Sequence, residues 1–386
     1  MQTYAKENNV MNENIKGRRN LIGSYFGKRM ILITPLLKWY LSKGMIITKI
    51  YYVLQYRPFK VYERFKDVVI KARQKATLNP AKAVLAKTYK LLGNTFFGKT
   101  ASNVYKYKQH TIVNREKAER LMNNVRFSAI DEINEDTYEV MMQQRTIREN
   151  LPLIIAYFVY NYAKLNLLRY VYDFIDYYIP RSRYRPLLCD TDSYYVGLAS
   201  DNGIEYIVKA DKRQEFFENL ETWMPIEACE RHKEKWLRKK LAGLTFKQRE
   251  CCETAEKLNS VTPLLFKREF RGTRAISLCS KTYYIDGQNA NEFKMGAKGL
   301  SRKSNDITFN HFYHCLMSQK NCIGTNQGIM KWRRAGQAIR MCTYQKTQDV
   351  LTSFYVKRRV DRYQFCCCFV QHLCRKMDFS SKLTNF

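Results

Sequence analysis

Acidic charge is what this chain lacks most. Across 386 residues, 35 Asp and Glu stand against 67 Lys and Arg, a formal charge of +32. A surface so short of carboxylates favours a polyanionic partner, because each Lys or Arg laid on a phosphate releases a counterion. A solubilising or generally adhesive basic surface is the alternative, tempered by 28 Tyr and 21 Phe, since base-stacking surfaces set aromatic faces among cations. Long apolar runs are also missing. The stretch from Met30 to Tyr40 is short and broken by Pro35 and Lys38, and that from Leu151 to Leu168 carries Asn161 and Lys164. Neither a signal peptide nor a membrane span is read, and no membrane partner is expected. The 12 cysteines have no framework spacing and no export signal accompanies them, which excludes a disulfide scaffold and leaves reduced thiols. His311, His314, Cys315 and Cys322 match no zinc spacing well.

At this length the chain folds as two or three lobes. Residues 1–28 are polar, Asn-rich and basic, without periodicity. Arg29 to Tyr40 reads as a helix and Met45 to Gln55 as a strand. Val61, Phe65, Val68, Val69 and Ala72 recur at three and four, predicting an amphipathic helix that stops near Asn79. Asn79 as cap and Pro80 in the first turn open a second helix, Ala81 to about Phe97, ended by Gly98. The two form an antiparallel helical hairpin. On the second helix Lys87, Lys90, Asn94 and Gly98 share one face. Gly93 and Gly98 cost helix stability, as close approach of a flat ligand would require. That face suits a triphosphate and a stacked base, with Phe96 and Phe97 beside it; a solvated basic face is the plainer outcome.

Beyond it, Tyr105, Lys106, Tyr107, Lys108, His110 and Arg115 interleave cations with aromatics. A helix runs from Leu151 to about Tyr178 and should lie under a sheet until Pro180 breaks it. Residues 201–258 read as helical and increasingly basic, Phe266 to Tyr284 as strands, and Ile307 to Arg359 as mainly helical. The tail from Cys366 shows no period.

Between Pro180 and residue 201 lies Asp190-Thr191-Asp192-Ser193, a polar turn between two β-prone runs, hence a hairpin with two carboxylates at its tip. Two acids so close repel unless a cation sits between them, and Mg²⁺ prefers such oxygens. An Asx-rich turn capping its own backbone is the alternative that this stretch alone leaves open.

Taken together, these segments resemble the family B DNA polymerases, in particular their protein-primed branch of viruses, Maverick/Polinton-like transposons and organellar plasmids. Asp190-Thr191-Asp192-Ser193 is similar to that family's third motif, a metal-binding turn. Lys90 to Gly98 is similar to its second motif, K-x3-N-S-x-Y-G, with Thr95 for Ser and Phe97 for Tyr. Lys281-Thr282-Tyr283 is similar to its K-x-Y motif, and the Gly- and Lys-rich link with Lys298, Arg302 and Lys303 follows it. Three motifs stand in the family's order. The resemblance, over about residues 20–360, implies an α+β right-hand fold. A palm with an antiparallel sheet would occupy 101–295, helical-hairpin fingers 59–100 and a mainly helical thumb 296–360. Residues 29–58 would be partial palm and 361–386 an atypical tail.

The implied activity is DNA-directed DNA synthesis by two-metal nucleotidyl transfer from dNTP to a primer 3′-hydroxyl. Asp190 and Asp192 are the implied catalytic and Mg²⁺-binding residues. Lys90, Asn94, Phe97 and Gly98 would bind the nucleotide; Lys281, Tyr283, Lys298 and Arg302 would bind primer–template DNA. A terminal protein as primer stays open. No compartment is read from the residues, a nucleus being suggested by the DNA partner alone. The family's first motif, D-x2-S-L-Y-P, should precede the fingers, yet residues 1–58 hold Glu7 and Glu13 and no Asp. The chain is therefore expected to be a C-terminal piece of a polymerase, weak or inactive alone. A DNA-binding protein derived from a polymerase is the alternative.

Overall fold

A computed structural model describes residues 30–57, 59–60, 62–279, 281–289, 291–297, 300–301, 304–318, 320–332, 340–352, 358–360 and 366–368. The expectations placed on residues 1–28, on Lys298, Arg302 and Lys303, and on most of the tail fall outside them. The fold is mixed, with small antiparallel sheets joined by helices. Among the described residues, no helix is long and apolar enough to cross a membrane.

The chain opens with helix α1 (Thr34–Ser42), which docks through Ile33 and Leu36 on Leu165. Its Trp39 indole donates to Asp173 (2.9 Å) and Lys43 pairs with the same carboxylate (2.6 Å). The strand expected over Met45 to Gln55 does not form. Those residues are irregular and exposed, Ile46 at 86% and Leu54 at 83%, because no neighbouring strand supplies a ladder.

The helical hairpin forms as its pattern requires. Helix α2 (Glu63–Thr77) and helix α3 (Ala83–Thr100) pack together, with Phe96 ringed by Tyr62 (4.5 Å) and Phe65 (4.7 Å). Between them the Asn79 side chain accepts from the Ala81 amide at 3.0 Å and Pro80 opens a single 3₁₀ turn. Helix α3 runs two residues beyond Gly98, to Thr100, since a glycine in helical conformation weakens a helix without ending it.

Residues 101–150, expected within the palm but with no elements read from the sequence, fold into a small unit. Strands β1 (Lys108–Val113), β2 (Phe127–Asn134) and β3 (Thr137–Gln143) pair antiparallel in the order β1-β3-β2. Helix α4 (Arg115–Met122), capped by Asn114, covers Val113, Val140 and Met142 through Ala118.

The main core lies around the long helix. Helix α5 (Leu153–Arg169) passes into a π-helical segment, Tyr170–Ile175, and ends at Tyr178. The wider winding brings Tyr170, Phe174 and Ile175 onto one buried face with Tyr178. Phe174, wholly buried, stacks on Phe216 (5.6 Å) and Trp223 (5.5 Å). Lys209 donates to the carbonyls of Asp176 and Tyr177, closing the helix end.

Strands β4 (Tyr184–Asp190) and β5 (Ser193–Leu198) follow as an antiparallel hairpin. Helices α6 (Arg213–Trp223), α7 (Lys233–Leu241) and α8 (Glu250–Asn259) complete this core. Strands β6 (Arg274–Cys279), β7 (Thr282–Asp286) and β8 (Phe293–Gly296) form a second three-stranded sheet. Residues 266–273, read as part of a strand run, precede it as irregular chain. Helix α9 (Phe309–Ser318) packs on that sheet through Phe312 and Cys315.

Two corrections concern architecture. Among the described residues the region expected to form a palm carries separate small sheets, not one continuous sheet, because β4–β5 and β6–β8 meet through side chains without a shared ladder. The expected mainly helical thumb is one helix followed by a long hairpin, β9 (Cys322–Trp332) against β10 (Arg340–Leu351). Alternating Thr, Gln and β-branched residues there follow a two-residue period that a helical reading overlooks.

Candidate active site

Strand β5 divides its side chains by parity. Tyr194, Val196 and Leu198 pack on the main core, so Tyr195 faces the other way. Asp190 pairs in register with Ser193, leaving Thr191 and Asp192 as a two-residue turn. The Asp192 amide donates to the Asp190 carbonyl (2.7 Å) and the Ser193 hydroxyl to the same oxygen (3.1 Å). Thr191 is held at φ +54°, a costly conformation for a β-branched residue. Neither bond to the Asp190 carbonyl uses an Asp carboxylate, so the turn does not cap its backbone in the Asx manner; the Thr191 hydroxyl donates to Asp190 Oδ1 at 3.3 Å. The Asp192 carboxylate is exposed without a hydrogen-bond or ion-pair partner among the described residues.

The tip of the β6–β7 hairpin meets this turn. Lys281, also in the left-handed region at φ +69°, reaches Asp190 with Nζ 2.6 Å from Oδ2. Both groups are partly open to solvent, at 28% for Asp190 and 59% for Lys281. Non-glycine residues at positive φ cost free energy and gather at functional sites; two of the three such residues described stand at these facing tips.

Tyr195 and Tyr283 join the hairpins a step behind, hydroxyl to hydroxyl at 2.8 Å and ring to ring at 4.8 Å. Burial, reinforced by that bond and by the charges of Asp190 and Glu269, pushes the Tyr195 phenol well above its ordinary value. Gly296 is required here: a Cβ would lie 2.6 Å from the Tyr283 ring.

Lys90, Asn94 and Gly98 lie exposed on α3, and no described atom comes within 4 Å of a Cβ placed at Gly98. Phe97 turns its ring edge-on to Tyr160 of α5 (5.0 Å), which gives this predicted nucleotide contact a packing partner. Glu269, paired with Lys267 at 3.1 Å, lies within the field of cations on both α3 and β8. Partial burial opposes its ionised form, but a hydrogen bond from Lys267 and the charges of Lys267, Lys294 and Lys90 outweigh that and hold it below the usual carboxylate range. Lys294 also sits 5.8 Å from the Tyr195 ring centre.

The structure therefore brings Asp190, Asp192, Lys281 and Tyr283 together, and Lys90 within electrostatic reach of Glu269. Lys298 and Arg302 lie outside the described residues. Sequence reasoning missed Tyr195, Lys294 and Glu269. The available signal was Glu269 itself, a single acid inside the basic run Lys267-Arg268-Glu269-Phe270-Arg271. The spacing His311-x-x-His314-Cys315 builds nothing: His311 bonds Thr308, and Cys315 is buried under the sheet.

Compared with protein-family models, with curated proteins and with solved structures, the chain finds no match.

Proposed function

We propose that this chain carries the nucleotidyl-transfer site of a DNA-directed DNA polymerase related to family B, working on primer–template DNA and dNTPs. The observation that carries the reading is the Lys281–Asp190 contact, which joins two of the three motifs across 91 residues of sequence. Chance motifs have no reason to converge.

The donor set suits Mg²⁺ in kind. Asp190 and Asp192 offer hard carboxylate oxygens at one turn, and Mg²⁺ is commonly held by one or two carboxylates together with substrate phosphates. When bound there, the cation supplies charge neutralisation for the triphosphate and activation of the primer hydroxyl. Asp192 is the principal carboxylate, with Asp190 beside it as ligand or as support. Lys90 lays its charge along the triphosphate and Asn94 fixes orientation. Lys281 and Tyr283 hold the DNA backbone, which positions the duplex without reading its sequence. Two carboxylates, one of them shared with Lys281, are few for two ions, so turnover by this chain is slow.

A second reading, a DNA-binding protein that has lost catalysis, draws on the same ion pair: Lys281 occupies an oxygen that a metal would need. Primer extension on primed single-stranded DNA with Mg²⁺ and four dNTPs, beside Asp192→Asn, separates the two. Slow extension that the substitution abolishes supports the polymerase. No extension by either, with salt-sensitive DNA binding retained, supports the second reading. Absence of DNA binding overturns both.

A further inference from the structure

Away from the carboxylate turn, four soft ligands converge. Cys229 and His232 sit at the two ends of a 3₁₀ turn that leads into α7, with the His232 amide bonded to the Cys229 carbonyl at 2.8 Å. Cys251 and Cys252 occupy the first turn of α8, and the Cys252 amide bonds to the Arg249 carbonyl at 2.8 Å. The Cys229 sulfur lies 3.7 Å from that of Cys251 and 3.8 Å from that of Cys252. His232 Nδ1 lies 3.2 Å from Cys229, 3.6 Å from Cys251 and 3.5 Å from Cys252. All four donor atoms fall within 4.8 Å of one another.

These separations are the edges of a tetrahedron. With Zn–S near about 2.3 Å and Zn–N near about 2.0 Å, tetrahedral coordination places sulfurs roughly 3.8 Å apart and nitrogen roughly 3.5 Å from sulfur. A disulfide requires sulfurs at about 2.05 Å, far shorter than the separations from Cys229 to Cys251 and Cys252. Three thiolates with one imidazole also select a soft or borderline ion over Mg²⁺. Cys252 is wholly buried in the main core, and Cys251 is exposed.

We propose that Cys229, His232, Cys251 and Cys252 form a structural Cys₃His zinc site. It ties the start of α7 to the start of α8 and fixes both on the aromatic core. Helix α8 in turn touches α2 of the helical hairpin, so the staple supports the contact between that hairpin and the body. Sequence spacing hides the site, because adjacent cysteines replace the usual separated pair. The inference is independent of the polymerase reading.

The test uses the full chain purified under reducing conditions from zinc-supplemented medium, with metal content measured by elemental analysis. One zinc per chain is expected, lost in Cys251→Ser and in His232→Ala and kept in Cys322→Ser. Cys251 is exposed, so its serine variant should remain folded by circular dichroism while losing the ion. Cobalt substitution of the unaltered chain provides a second readout: intense visible bands with thiolate-to-cobalt charge transfer mark a tetrahedral, sulfur-rich site. A folded chain without zinc that shows no such bands with Co²⁺ overturns the proposal. So does a disulfide among these cysteines in the reduced preparation, or zinc that survives both substitutions.

Discussion

The helical hairpin and the aromatic body beneath the carboxylate turn are packed to different standards. Helices α2 and α3 together bury only Val69, Ala76 and Thr100. The body buries Tyr170, Phe174, Tyr178, Phe216, Phe217 and Trp236 in one continuous cluster, from which β5 and the turn are held. Local opening needs little free energy where few apolar contacts are lost, and approaches the global value in a core. The difference makes the hairpin the easier element to open and the body the firmer one. On the proposed reading Lys90 and Asn94 ride on the former, whereas Asp190 and Asp192 stand on the latter.

The comparison breaks most readily at Phe174. Its replacement by Ala removes a fully enclosed ring and should cost about 3–5 kcal/mol, read as a lower denaturant midpoint; a loss below 1 kcal/mol would mean that the body is no firmer than the hairpin.

Alkaline titration comes next. Burial raises the phenols of Tyr170, Tyr184 and Tyr194 well above the ordinary range. Their folded values lie above their unfolded ones, so the stability they confer is whole below about pH 10 and is lost as pH rises through the folded values. For the enclosed Tyr170 the slope is about 1.4 kcal/mol per pH unit once the unfolded phenol ionises. Tyrosinate absorbance from the body should therefore appear together with loss of helical ellipticity. Full ionisation near pH 10 with the fold intact would contradict the enclosure.

Smaller effects sharpen the contrast. Lys281→Ala removes a partly exposed ion pair worth about 0–1 kcal/mol, so stability should barely change. Because Asp190 is released, Mn²⁺ affinity should rise by up to about fivefold in a calorimetric titration; weaker metal binding would show that Lys281 supports the carboxylates instead of competing for one. Least of all, Leu91→Ala on the exposed side of α3 should stay within about 0.5 kcal/mol, checked by the same denaturant midpoint.

Local chemistry made part of this legible. Asn79 and Pro80 announce the second helix of the hairpin, and the Asp190–Ser193 turn with its flanking strands follows from two-residue alternation broken by polar residues. What the sequence concealed was long-range. Nothing near Met45 to Gln55 says that its β-prone side chains find no partner strand; beyond Cys322, by contrast, the two-residue period is present and a helical reading overlooks it. The Tyr195–Tyr283 bond, the closeness of Glu269 to Lys90, and the meeting of Cys229 and His232 with Cys251 and Cys252 depend on how separate elements dock. A period read along the chain carries no such information.

The central claim is that the hairpin tips and the α3 stripe act together on a templated nucleotide. Its most direct test is equilibrium binding of the full chain to primer–template DNA, with Mg²⁺ and a terminated primer, in the presence of each dNTP in turn. The account predicts that the template-complementary dNTP alone tightens the complex, and that Lys90→Ala and Asp192→Asn each remove the preference while salt-sensitive DNA binding persists. Equal affinity with all four dNTPs would contradict it.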